Sequence, residues 1–243
     1  AGRAGRSIAI AATAAGLTVR LAGRDEALHA CRQSEVALLC VPDGEIAAAA
    51  AGTAAAVPAL RFVGHVSGAT ALGALAAAND AGAGVFSLHP LQTIPDAQTE
   101  LVGAPCAIAG STADALAVAR GLGHRLQMRP FEVPGDARDA YHAAAAMASN
   151  LLVALEESAA ELMDRAGVDA PGRELLAPLV LRSAANWTER GADALTGPIA
   201  RGDTATVERH LEALRATAPE LVPVYESLAE RARALAARDE VST

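Results

Sequence analysis

Ala1-Gly2-Arg3-Ala4-Gly5-Arg6-Ser7-Ile8-Ala9-Ile10-Ala11-Ala12-Thr13-Ala14-Ala15-Gly16-Leu17-Thr18-Val19-Arg20-Leu21 opens the chain and carries the pattern of an α/β unit. Two glycines three apart lead into an apolar run over residues 7–15 with helical character, and Gly16 separates it from a strand-like stretch over 17–21. This is the tail of G-x-G-x-x-G entering the first helix of a βαβ unit, with Gly2 and Gly5 as the second and third glycines. Gly2 lets the backbone approach a pyrophosphate, and Gly5 lets the helix lie against a strand. The helix start, with Arg3 and Ala4, offers N–H groups and the positive end of the dipole to phosphates. Gly2, Arg3, Ala4 and Gly5 are therefore expected to hold a dinucleotide. A strand and a first glycine are expected ahead of Ala1.

Downstream, the pattern of an α/β sheet continues. Gly23-Arg24-Asp25 follows the 17–21 stretch, where an acid takes ribose hydroxyls in NAD enzymes and an arginine suits the 2′-phosphate of NADP. Arg24 favours NADP, and Asp25 leaves NAD open. Residues 35–41 form an apolar run bounded by Pro42-Asp43, which reads as a strand buried on both faces. Further strands are expected at 60–64, 84–88, 106–109 and 127–133, with helices at 44–56, 69–78 and 113–122. Polar residues gather at the carboxyl ends of three successive strands, the edge where open α/β sheets bind ligands. Val41, Pro42, Asp43, His65 and Ser67 are expected to contact the coenzyme there, His89 to act in catalysis, and Gln92 and Thr93 to contact the substrate.

Pro134-Gly135 ends the α/β pattern. A helical segment is expected from Asp136 through Ala166, with no Gly or Pro inside it, and others at 172–190, 204–216 and 219–237. The chain thus divides into an α/β Rossmann domain over 1–133 and an all-α domain over 134–243. On the long helix, His142, Ala146, Ser149, Asn150 and Val153 share one face. Polar groups in so apolar a body need a partner or a ligand, or cost about 1–3 kcal/mol each. That marks His142 and Asn150 as catalytic candidates and Ser149 as a substrate contact. In the loop Thr196-Gly197-Pro198-Ile199-Ala200-Arg201-Gly202-Asp203, Thr196 and Arg201 are substrate candidates, since the planar fork of an arginine suits a carboxylate. Asp203 is placed to cap the helix from Thr204. The alanine-rich helix has more apolar surface than one small domain buries, which predicts a homodimer through the helical half.

Composition narrows the chemistry. All 20 basic residues are arginine, so Schiff-base, lysine-acid and Walker-type chemistry are excluded. The net charge of −8 argues against nucleic-acid and membrane partners. Three scattered cysteines, Cys31, Cys40 and Cys106, suggest neither a disulfide framework nor a metal site. No stretch reads as a membrane span. A cytoplasmic protein with a small-molecule substrate is expected.

Several segments together carry a resemblance: Gly2-Arg3-Ala4-Gly5, Val41-Pro42-Asp43, His65-Val66-Ser67-Gly68, Ser87-Leu88-His89-Pro90-Leu91-Gln92-Thr93, Tyr141-His142-Ala143-Ala144-Ala145, Ala148-Ser149-Asn150 and Leu195 through Asp203. With these the chain resembles the Rossmann-like proteins whose helical half is domain of unknown function 2520. The resemblance spans nearly the whole chain. It implies a C-terminal domain similar to that of 6-phosphogluconate dehydrogenase, and an architecture shared with ketopantoate reductases and pyrroline-5-carboxylate reductases. The activity it implies is NADP-dependent hydride transfer to a small carboxylate-bearing oxo acid, ketopantoate-like in chemistry. The His-Pro after a strand gives a weaker resemblance to prephenate dehydrogenases. One feature departs from the pattern. Ketopantoate reductases and β-hydroxyacid dehydrogenases place a lysine four residues before the helix asparagine, and counting back from Asn150 gives Ala146. The proton donor must then be another group. Histidine, with its near-neutral pKa, is the candidate, as His142 or His89, with Asn150 orienting the substrate oxygen. The alternatives are a non-catalytic NAD(P)-binding regulator and an imine, prephenate-type or deazaflavin-linked reductase.

Overall fold

The structure, a computed structural model, describes residues 2–239. The chain forms two compact units, Ala1–Ser149 and Asn150–Thr243. The first is built on a five-stranded sheet in the order β1 (Val36–Leu39), β2 (Phe62–His65), β3 (Gly84–Pro90), β4 (Pro105–Gly110), β5 (Arg129–Glu132). β1, β2 and β3 run parallel, β4 runs antiparallel to β3, and β5 runs parallel to β4. The reversal at β4 follows from its connection. Residues 91–104 hold no helix, and a parallel return needs a long crossover that is usually helical.

Helices cover both faces because the strands are apolar on both. Phe86, Leu88, Cys106 and Ile108 meet Ile8 and Ala12 of α1 (Arg3–Ala14) and Ala115 and Ala119 of α5 (Ala113–Arg125). On the opposite face Val63 and Val85 meet Cys31 of α2 (Ala27–Arg32), Ile46 and Ala50 of α3 (Ile46–Thr53) and Ala78 of α4 (Ala76–Asp80). The alternation of Val85 with Phe86 follows from the two-residue period of a strand. Local signals fix the helix ends. Thr112 caps α5 by accepting the Ala115 N–H at 3.1 Å, with Asp114 in the first turn and His124 and Arg125 in the last, the charge order the helix dipole favours.

Two expectations are corrected. Residues 17–21 form no strand: among the described residues no strand pairs with them, and a segment without a ladder is a loop. The helix expected through 136–166 is two helices, α6 (Arg138–Ala148) and α7 (Asn150–Arg165). The break is at Ser149, whose backbone leaves the helical region at φ −131°, ψ −78°. Its hydroxyl donates back to the Ala145 carbonyl at 2.8 Å, a bond that competes with the backbone ladder and bends helices.

The second unit is all helix: α7, α8 (Gly172–Arg190), α9 (Thr204–Thr217) and α10 (Val222–Asp239). α7 and α8 approach closely at Gly172, where a Cβ would strike the Ala160 carbonyl oxygen. Asp164 at the end of α7 accepts the Gly172 N–H at 2.8 Å and so caps α8. Asp203 caps α9 as expected, accepting the Thr206 N–H at 3.0 Å. Leu151, Val153, Leu179, Leu181 and Trp187 are each more than half exposed. Among the described residues no helix is long and apolar enough to cross a membrane.

Candidate active site at the carboxyl edge of the sheet

Parallel pairing brings the ends of β1, β2 and β3 to one edge. Leu39, His65 and Ser87 stand in one row across these strands, and His89, Ala107 and Phe131 stand in a second row across β3, β4 and β5. Ser87 and His89 are two apart on β3 and therefore share a face. α6 lies on that face and offers Arg138 and Tyr141, three apart on the helix. The buried guanidinium of Arg138 donates to Ser87 Oγ at 2.9 Å and to the Gly68 carbonyl at 3.4 Å. Tyr141 Oη lies 2.7 Å from His89 Nδ1. The Tyr141 ring stands edge-on to His89 at 5.8 Å and to Phe131 at 6.0 Å, and the small Ala107 between those two leaves it room. His142, the next residue on α6, has its ring 6.4 Å from that of His89.

Gly68 is the hinge of this cluster. A Cβ there would sit 2.7 Å from His89 Cε1, 2.9 Å from His89 Nε2 and 2.8 Å from His142 Cδ2. Only a glycine lets the loop after β2 pass between the two imidazoles. Beside it Ser67 folds its own turn, its hydroxyl accepting the Thr70 N–H at 2.9 Å.

Burial sets the electrostatics. His65 is fully buried, and its Nδ1 accepts the Ser67 N–H at 3.2 Å, which leaves the proton on Nε2. That Nε2 has no hydrogen-bond partner among the described residues, a state that costs about 1–3 kcal/mol. Burial, then the Arg138 charge, pushes His65 down to about 4, with Asp43 opposing. Burial, then His142 and Arg138, pushes His89 down to about 4, and Asp43 again opposes. Burial pushes the Tyr141 phenol up to about 12, against the pull of Arg138. Arg138 is itself lowered by burial, and no carboxylate lies within ion-pair distance of it among the described residues. Both histidines are therefore neutral at pH 7, beside a buried cation.

The residues expected to hold a coenzyme divide between a helix start and the strand ends. Gly2 is the N-cap of α1, no side chain caps it, and the first turn carries no acid. A Cβ at Gly2 would meet nothing within 4 Å, so the turn is open. Free N–H groups, Arg3 and the absence of an acid suit a pyrophosphate. Arg3 also reaches the Pro95 carbonyl at 3.3 Å, Ala4 is half-buried, and Gly5 is buried. Val41 and Pro42 follow β1, Pro42 starts the short turn Asp43–Glu45, and Arg24 pairs with Glu45 at 2.7 Å while remaining 84% exposed. Gln92 and Thr93 are exposed just beyond β3.

Among the predicted residues, the first unit gathers His65, Ser67, His89 and His142. Ser149 closes that unit, whereas Asn150, Thr196 and Arg201 belong to the second and are exposed. Arg138 and Tyr141 were not singled out from sequence. The available signal was their spacing: an arginine and a tyrosine at i and i+3, directly before His142, present one side of a helix. Among the described residues there is no group of three or more His, Cys, Asp or Glu that could hold a metal.

Fold and site define a Rossmann-like protein with a helical C-terminal part. A Rossmann-like domain model matches residues 1–90, and the model for Domain of unknown function (DUF2520) matches residues 104–232. The chain belongs to the DUF2520 family. No curated protein matches it in sequence. Among solved structures it is similar to BF3122, a candidate NADP oxidoreductase from Bacteroides fragilis, with a TM-score of 0.75 at 20% identity over 96% of this chain and 95% of that one. An imine reductase from Streptomyces aurantiacus superposes with a TM-score of 0.62 at 17% identity over 98% and 96%. The pyrroline carboxylate reductase of Plasmodium falciparum, solved with NADP bound, gives 0.60 at 12% identity over 97% and 96%. At these identities the likeness is one of fold.

Proposed function

We propose that the chain is an NADP-dependent oxidoreductase acting on a small carboxylate-bearing oxo acid, ketopantoate-like in chemistry. The observation that carries this reading is the meeting of His89, Tyr141 and His142 around Gly68 at the carboxyl edge of a Rossmann-like sheet. Gly2, Arg3, Ala4 and Gly5 would hold the pyrophosphate, Val41, Pro42, Asp43, His65 and Ser67 the rest of the coenzyme, and Arg24 a 2′-phosphate. When bound, the coenzyme supplies the hydride. The chain's own residues then have two tasks. They must orient the substrate, which falls to Gln92, Thr93, Ser149, Asn150, Thr196 and Arg201, the last through its fork on the carboxylate. They must also give a proton to the oxygen as its charge develops, which falls to His89 or His142. Three fold relatives are described as an NADP oxidoreductase, an imine reductase and an NADP-bound pyrroline carboxylate reductase, which supports nicotinamide chemistry and adds cyclic imines to the substrates worth testing.

The protein is proposed to work in the cytoplasm as a homodimer through its helical half, without nucleic-acid or membrane partners. The test of the function is turnover of oxo acids and cyclic imines with NADPH. His142→Gln and His89→Gln should each keep coenzyme affinity, and at least one should lower kcat by about 100-fold. Unchanged turnover in both variants would contradict the assignment.

A further inference from the structure

This inference rests on the reductase reading above. We propose that Tyr141 is a positioning residue that locks His89 in its Nε2–H form and resupplies its proton, so that His89, rather than His142, protonates the substrate. The geometry supplies the hydrogen bond, and its direction depends on the His89 tautomer. The Tyr141 hydroxyl lies 2.7 Å from Nδ1 of His89, and the phenol ring is held edge-on between His89 and Phe131. If the hydroxyl donates, Nδ1 accepts and the imidazole proton must sit on Nε2. That nitrogen, at the far side of the ring, has no hydrogen bond among the described residues. Gly68 packs close on this edge, where a Cβ would sit 2.9 Å from Nε2, but Nε2 itself is not a buried atom.

An ordinary imidazolium acid does not suit this position. His89 is ringed by His142, Arg138 and Tyr141 on α6, His65 on β2 and Asp43 after β1, and burial with the first two keeps it neutral. Tyr141 faces Cys106 on β4 as well as Arg138, and it stays protonated. A neutral imidazole can still pass a proton through itself. As the substrate carbon takes hydride from a reduced nicotinamide and the π electrons pass to its oxygen or imine nitrogen, that atom becomes basic, the Nε2–H bond breaks and the new O–H or N–H bond forms. Nδ1 takes the phenolic proton, which leaves a phenolate beside the buried Arg138 cation. After product leaves, water returns a proton to Nε2 and the Nδ1 proton goes back to the phenolate. The ring is neutral before and after, and the net proton comes from water. Arg138, buried without a carboxylate, is placed to make the transient phenolate less costly.

The test is histidine 15N NMR on the full chain, with no ligand present, for wild type and Tyr141→Phe. Wild type should show His89 protonated at Nε2. In Tyr141→Phe the ring should lose that fixed form, while NADPH affinity stays and kcat on the best substrate falls about 100-fold. Ser87→Ala, which removes the Arg138 bond but leaves the phenol, should keep the Nε2–H form. A His89 protonated at Nδ1 in wild type, or a tautomer unchanged in Tyr141→Phe, overturns the proposal. Should the variant not fold, the wild-type spectrum decides alone. Failure of the reductase reading shows separately, as a wild type that binds no NADPH. It takes the substrate half of the relay with it, while the His89 signal still reports the hydrogen bond.

Discussion

His65 and His89 are both drawn out of water by burial beside the Arg138 cation. Each has a pKa of 6.5 when free and about 4 in the fold. As pH falls below 6.5 the unfolded chain takes up these protons first. The stability held by keeping both rings neutral is therefore complete above 6.5 and is lost progressively down to about 4. Two such groups give a slope of at most about 2.7 kcal/mol per pH unit. Urea unfolding of wild type and His89→Gln across this range should show the variant losing less stability on acidification. Parallel curves would mean that the ring is already charged or solvated in the native state. The place of His89 at the end of its strand was legible in the sequence, because a histidine at a strand end on the ligand edge stands out. Arg138 and Tyr141 showed only as an i, i+3 pair before His142: nothing local tells a buried arginine from a solvated one, and their contacts come from the docking of α6 on β3.

At the scale of elements, the strands and most helices could be read because each carries its own periodicity. β3 alternates between two apolar faces, and α8 and α9 begin where expected. Direction is a different matter. β4 is as apolar as the parallel strands β2 and β3, and only the helix-free connection 91–104 betrays the reversal. The break at Ser149 was hidden for a similar reason, since an alanine-rich run without Gly or Pro reads as one helix until a hydroxyl bonds back to the carbonyl four residues earlier. The α7–α8 pair gives a prediction at this scale. Gly172→Ala puts a methyl against the Ala160 carbonyl oxygen, backbone against which there is little give. It should destabilise the protein by about 1–3 kcal/mol in urea unfolding. An unchanged midpoint would show that the two helices can part without loss.

For the whole molecule, the apolar clusters and the exposed apolar residues are unevenly shared. Both buried clusters found among the described residues belong to the first unit, and the second leaves Leu179, Leu181 and Trp187 open. Surface of this kind seeks a cover. Sedimentation velocity should give twice the 24.5 kDa chain mass, and charged substitutions at Leu179 and Leu181 should return it to the single mass; a wild type at the single mass would contradict the dimer. The glycine turn and the family resemblance could be recognised from the first residues onward, but spacing alone does not fix which substrate the site takes. The claim beneath the rest is that a nicotinamide dinucleotide lies on the amino-terminal unit. Titration of the purified protein with NADPH, followed by calorimetry, addresses it most directly. Saturable binding of one coenzyme per chain, weakened by Gly2→Val and more sensitive to Arg24→Ala for NADPH than for NADH, is the expected result. No binding of either coenzyme up to about 1 mM, the upper end of ordinary enzyme affinities, would contradict it.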